Sequence, residues 1–531
     1  MSAARYWHTI RYLKPRQVLG RLWFHAYRPA TERRPAPARR AAVRRWRALE
    51  WREPSLVGPA SVSFLNVRAA VPGPGDWNEG SRGRLWLYNL HYFDDLTARG
   101  SEDRRQWHAS LVRRWIRENR AGVGAGWESY PTSLRITNWI KWMLATDPDQ
   151  EMLDSLATQV RWLTRRLETH LLGNHLWANA KALVVAGMFF DGVEAEEWRR
   201  RGLAILVREM DEQILPDGGH FERSPMYHSI VLEDILDLVQ TSEVYPGVLP
   251  APLLSQLKQV ATRMLRWLQV MSHPDGQVSF FNDTAFGVAA PWSALAEYAD
   301  SLTVDVDRRA MQAVESLPES GYVRLENDRA TVLCDLAPVG PDYQPAHAHA
   351  DTLSFELSID GRRVIVNGGT STYAAGPERT RQRSTAAHST VEVDGANSSD
   401  VWGAFRVARR AKPFDVKTGA SENVVWAEGA HDGYFHHPGR VVHRRSWLLE
   451  STHLTVIDRL EGSCSRAVAR FILHPDAAAA GMEAVLFQCE PQVPVVRVPA
   501  KWHPEFGRSL GTEAVQVTLA APRVATTLRW P

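Results

Sequence analysis

Two hydrophobic periods divide the chain. Between about residues 100 and 315, apolar residues recur every three or four positions. Trp107, Leu111 and Trp115 form one such set, and Leu156, Val160, Leu163 and Leu167 a second. Leu253, Leu257, Val260, Met264 and Trp267 form a third. Each set marks one face of an amphipathic helix. A succession of such helices without a clean short repeat predicts a bundle, a solenoid or a toroid of hairpins. After Gly321 the period falls to two: Leu353, Phe355, Leu357 and Ile359 alternate with Ser354, Glu356 and Ser358. Asp360-Gly361 then makes a turn, and Val364 to Val366 returns. Further strand-like runs lie at 323–325, 331–336, 390–393, 424–427, 454–457, 467–473, 493–498 and 515–519. The pattern predicts two large modules, helical first and then an antiparallel β-sandwich.

Composition narrows the classes. At roughly 150 residues per domain, 531 residues allow two to four domains. With 44% apolar and 23% charged residues, wholesale disorder is excluded. Sixty-three basic against 60 acidic residues, a net charge of +3, give no case for a nucleic-acid partner. Cys334, Cys464 and Cys489 form no CxxC pair, which argues against a disulfide scaffold or a cysteine zinc site. The 21 tryptophans serve as core bulk or as platforms for sugar rings. The most apolar stretch, Trp177 to Phe190, is interrupted by Lys181 and falls short of a membrane span of about 20 residues. The N-terminus has no apolar signal region, so the expected location is the cytoplasm. Residues 1 to about 55 are Arg-rich. They read as a solvated arm around Pro35 and Pro37, or as a basic surface for an acidic polymer.

Four polar clusters interrupt these patterns. Gly173-Asn174-His175 lies between two helical runs, where Asn and His also serve as caps. Asp217 to His228 holds Glu222, Arg223, Tyr227 and His228 before an apolar helical run. His347-Ala348-His349-Ala350-Asp351 runs into the alternating strand, which would place both imidazoles on one face. The run from Arg379 to Val393 offers Arg379, Arg381 and Arg383 as clamps for carboxylates or sulfates, and His388 at a strand start.

These residues carry a resemblance. The HxHAD strand start, the hairpin, Asn367-Gly368-Gly369-Thr370, the stretch with Tyr373, Gly376 and Arg379, and Ala387-His388-Ser389-Thr390 resemble the signature of heparinase II/III-type polysaccharide lyases. The Asn174-His175 loop and the Arg223-Ser224-Pro225-Met226-Tyr227-His228 element resemble that family's helical domain. The resemblance spans about residues 85 to 480. It implies an N-terminal incomplete (α/α) toroid over 85–315 and a C-terminal antiparallel β-sandwich over 316–531, after an arm with entry helices over 1–84. It also implies β-elimination at a 4-linked uronic acid of an acidic polysaccharide. That chemistry needs a donor on the carboxylate, a base for the C5 proton and an acid for the leaving oxygen. By resemblance, Asn174 and His175 hold the carboxylate, and Tyr227 and His347 exchange the protons. Glu222, Arg223, His228, Arg379 and Arg383 would contact substrate. No cofactor is required. The family's structural, zinc-like metal would fall on His349, Asn367 and His388, with Asn367 where the family has Asp, and an amide is a weaker ligand. In strict hairpin register Asn367 also points away from His349 unless a bulge intervenes. A uronate C5-epimerase and a non-catalytic protein of glycan binding or exopolysaccharide assembly are the alternative readings.

Overall fold

A computed structural model describes residues 3–480 and 485–530. The first half is an incomplete ring of paired antiparallel helices. Its members include Ser129–Met143, Gln150–Arg165, Gly173–Phe189, Val193–Gln213, Pro225–Val244 and Ala251–Val270. The predicted apolar faces are the buried ones: Leu156, Val160 and Leu163 are wholly buried, as are Leu257, Met264 and Trp267. Helix Gly173–Phe189 is apolar all round and occupies the centre; within it only His175 escapes full burial. Asp149 caps Gln150–Arg165 by accepting from the Met152 N–H at 3.0 Å. Ser224 caps Pro225–Val244, with Pro225 at the first helical position.

The second half stacks two antiparallel sheets. The nine-stranded sheet runs, edge to edge, 495–502, 510–518, 467–473, 362–366, 355–359, 330–335, 322–326 and 314–317, with 391–393 paired beside 467–473. The six-stranded sheet runs 413–420, 425–434, 441–449, 453–461, 523–529 and 486–490. Phe355, Trp447 and Phe471 meet edge-to-face between them. The strand Phe355–Ile359 is buried on both faces. Its polar side faces the helical half, where His273 meets Ser358 Oγ at 2.7 Å and Glu356 Oε2 at 2.9 Å. The hairpin pairs Ile359 with Arg362 as expected. It then skips Val364 in a bulge, so Leu357 opposes Ile365.

The Arg-rich segment is not a solvated arm. Two helices, Ala3–Ile10 and Pro15–Ala26, precede an extended strap that lies across the ring. The strap donates from Arg40 N to Phe189 O at 2.8 Å and from Val43 N to Val244 O at 3.0 Å. Arg161 reaches back to the carbonyls of Arg34 and Pro35. Phe189 and Val244 are the last residues of their helices. Helix C-termini leave carbonyls without intrahelical donors, and the strap supplies them.

Candidate active site

A cleft of about 2420 Å³ lies between the ring and the sandwich. Asn174, His175, Tyr227 and His347 all line it. The first turn of Gly173–Phe189 delivers Asn174 and His175. A Cβ on Gly173, whose φ is +54°, would come within 2.6 Å of Gln344 Nε2 and 2.7 Å of Glu222 Oε1, so a side chain there would be strained and would displace both groups. Asn174 is buried, and its Oδ1 has no hydrogen-bond partner among the described residues. His175 Nδ1 meets Glu168 Oε1 at 3.0 Å. Burial opposes the charged imidazole, but Glu168 outweighs it and holds the pKa above its usual value.

Tyr227 and His347 face each other across the domain junction, their ring centroids 4.0 Å apart. The Tyr227 hydroxyl meets that of Tyr373 at 3.0 Å. Burial, then Tyr373 and Asp283, push the Tyr227 phenol well above its usual range, so it is held neutral. His347 Nδ1 lies 2.9 Å from Asp283 Oδ2. Its hydrogen-bond network gives Nδ1 the proton and leaves Nε2 as the lone-pair nitrogen.

Asp283 is the hub. It follows helix Ala251–Val270 in the chain, yet its carboxylate serves the sandwich: His347, His349 Nε2 at 2.8 Å, Thr370 Oγ1 at 3.1 Å, and both Arg379 nitrogens at 2.5 and 2.7 Å. Burial would raise its pKa. Arg379, then His347 and His349, outweigh that and hold the carboxyl well below its usual range. Sequence reasoning missed Asp283 and placed Tyr373 in a motif without giving it a role. The only signal for Asp283 was an Asn-Asp pair after the apolar run Val278 to Phe281.

The five expected substrate contacts do not line the cleft. Arg379 grips Asp283. Arg383 donates to Ala348 O and is wholly buried; burial, then Arg379, push its pKa down to about 9. Arg223 donates to the carbonyls of Ser320, Phe221 and Glu319, bracing the two halves. His228 is buried against Met264 O at 2.9 Å. Glu222 is buried with Oε2 3.9 Å from His347 Nε2, and burial pushes its carboxyl up. These groups build the wall behind the site.

The metal assignment also changes. The Asn367 amide donates to Ser354 Oγ at 3.2 Å and accepts from Ser389 N at 3.0 Å. The carboxylate gathered with His349 and His388 is that of Asp351. His388 Nδ1 donates to Ser384 O, and His349 Nε2 donates to Asp283. Their other nitrogens, His349 Nδ1 and His388 Nε2, then meet as two lone pairs 3.0 Å apart. Two imidazoles and a carboxylate so arranged fit a zinc-like cation.

A model of the heparinase II/III N-terminus matches residues 110–309, and one of the heparinase II/III-like C-terminal domain matches residues 310–524. The chain belongs to the heparinase II/III family. FtsZ-localized protein C of Caulobacter vibrioides is 26% identical over 522 residues, covering 90% of this chain and 86% of that protein. A heparin-sulfate lyase of Bacteroides stercoris is 23% identical over 309 residues, covering 55% of this chain and 44% of that protein. A crystal structure of heparinase III superimposes with a TM-score of 0.64 at 16% identity, over 97% of this chain and 85% of that one. A heparan sulfate lyase from Pedobacter heparinus gives 0.58 at 17% identity, over 84% and 77%. At these identities the structural likeness shows the family's fold, an incomplete (α/α) toroid followed by a β-sandwich.

Proposed function

We propose that the chain is a polysaccharide lyase that cleaves a 4-linked, uronic-acid-containing polysaccharide by β-elimination. The observation that carries this reading is the Tyr227–His347 pair, ring to ring at 4.0 Å with opposite proton poise, beside Asn174 in one cleft. His347 Nε2 takes the C5 proton, its Nδ1 held by Asp283. The C–H electrons form the C4–C5 double bond, and the C4–O4 bond breaks. Tyr227 gives its proton to O4. His347 then holds one proton too many and Tyr227 one too few, and their contact lets the pair reset. The Asn174 amide stabilises charge that grows on the uronate carboxyl group, assisted by His175. A divalent cation at His349, Asp351 and His388 would brace the loop that carries His347 into the strand Phe355–Ile359.

The charges lining the cleft favour a polymer of modest charge density. Ten basic side chains are matched by ten acidic ones. Several are already paired, as Lys181 is with Asp234 and Asp237, and Arg52 with Glu233. A densely sulfated chain calls for a net positive wall.

The test is a panel of unsulfated and sulfated uronate polymers monitored for the ultraviolet absorbance of an unsaturated product. Asn174→Ala should lower kcat about 10²–10³-fold on the active polymer with a smaller change in KM. A second reading, a non-catalytic family member, is favoured by the likeness to FtsZ-localized protein C, whose name records a location rather than an activity. Binding of a polymer without any product would establish it. Isotope exchange at C5 with inversion of that centre and no cleavage would establish the epimerase.

A further inference from the structure

The two N-terminal helices wear their apolar side outward. In Pro15–Ala26 the residues turned to the protein are Gln17, Gly20 and Phe24. Gln17 donates to Tyr343 O at 3.1 Å, a Cβ on Gly20 would lie 3.1 Å from that of His170, and the Phe24 ring lies 4.3 Å from the His170 ring. The opposite face carries Val18, Leu19, Leu22 and Trp23, between 50% and 66% exposed. Trp7 and Ile10 on the helix Ala3–Ile10 are 61% and 52% exposed. A helix lying on a globular domain ordinarily shows the reverse arrangement. Among the described residues, eight of the twenty exposed large apolar side chains fall between Tyr6 and Trp23, so this is a patch and not scatter.

Charge identifies the occupant. Residues 1–31 contain Arg5, Arg11, Lys14, Arg16, Arg21 and Arg28 and no Asp or Glu. Lys14 and Arg16 pair with Glu212. The other four arginines form no ion pair with a carboxylate among the described residues. Tryptophan and leucine on one side with arginines at the margins is the make-up of a helix that lies in a bilayer interface. No described helix is long and apolar enough to cross a membrane.

We propose that the face formed by Trp7, Ile10, Leu19, Leu22 and Trp23 docks the protein on an anionic lipid surface. Its aromatic and aliphatic side chains enter the headgroup boundary, and Arg11, Arg21 and Arg28 meet the phosphates. Trp7, Ile10 and Leu22 also form a lip of the cleft, so docking sets the cleft mouth at the membrane plane.

The experiment is flotation of the full chain with vesicles of equal parts phosphatidylglycerol and phosphatidylcholine, and with phosphatidylcholine alone. Binding to the anionic vesicles that weakens with salt is expected. Leu19→Glu/Trp23→Glu should reduce it at least about 10-fold. Both side chains are exposed and neither lines the cleft, so its circular dichroism and melting temperature should match the unaltered protein. No binding at low salt, or equal binding by this variant, overturns the proposal. So does a dimer that the variant converts to a monomer while neither protein binds vesicles, because the face would then be a self-interface.

Discussion

The molecule holds two polar clusters built on the same Arg–Asp–His–His order. At the cleft, Arg379 clamps Asp283, which also holds His347 and His349, and His349 faces His388 at 3.0 Å. Across the sandwich, Arg445 clamps Asp458 at 2.8 and 3.0 Å, Asp458 meets His443 at 2.7 Å, and His443 faces His431 at 3.3 Å. All four distal residues are buried. Arg445 also donates to Leu353 O and Ser389 O, tying its sheet to the other one. Arg445, Asp458, His443 and His431 repeat the order Arg379, Asp283, His349 and His388, and the distal cluster has no counterpart of His347. What the first cluster adds is His347, a second imidazole on Asp283 that lines the cleft, whereas His443 is buried. Under the proposed function, related chemistry serves as a reaction centre in one place and as an internal rivet in the other.

The sharpest way to break this contrast is to remove each histidine. His347→Gln should lower turnover about 10²–10⁴-fold with little change in melting temperature. His443→Gln should leave turnover per folded molecule intact and lower stability by about 1–3 kcal/mol. Equal losses of activity in both would erase the distinction.

Removing the carboxylates should next reveal the likeness. Asp283→Asn and Asp458→Asn each strand a buried arginine, at about 3–5 kcal/mol of stability, read from denaturant unfolding. Only Asp283→Asn should also abolish turnover. A silent Asp458→Asn would show that the distal cluster is not a rivet.

A smaller, shared effect should appear with pH. Burial holds His431 and His443 below their usual pKa, and it pushes His228 down to about 3. The unfolded chain takes up protons near pH 6.5 while these imidazoles stay neutral. Their contribution to stability is therefore complete above pH 6.5 and is lost as the pH falls towards their folded values. By pH 5 the loss is about 2 kcal/mol for each imidazole still held neutral. Melting temperature should fall between pH 7 and 5, and His228→Gln should flatten the decline.

The smallest effect concerns metal. Added zinc should raise the melting temperature of the unaltered protein by a few degrees, through ligand binding to the native state. The rise should vanish in His388→Ala and leave the His431–His443 pair unaffected. An unchanged rise in His388→Ala would move the cation elsewhere.

The division into a helical and a stranded half was legible because a packed face must repeat with its element's period. Asn174, Tyr227 and His347 were legible because polar islands beside apolar runs have few structural excuses. Asp283 was not, since only the fold shows that it crosses the domain junction. The arginines misled in both places, because Arg379 and Arg383 in the core read the same as an arginine run in water. The strap misled for a related reason: its partners are helix-end carbonyls, which leave no trace in side-chain pattern. The Val364 bulge shifts register through backbone geometry that the Asp360-Gly361 turn does not encode.

Asp283 also limits how this protein can be divided. The two family models meet between residues 309 and 310 as if they were separable parts. Yet Asp283 lies in the first part, and His347, His349 and Arg379 lie in the second. A chimaera that joined the helical half of one relative to the sandwich of another would bring together a carboxylate and a set of bases that had never been fitted to each other. The two halves have to be inherited as a matched pair.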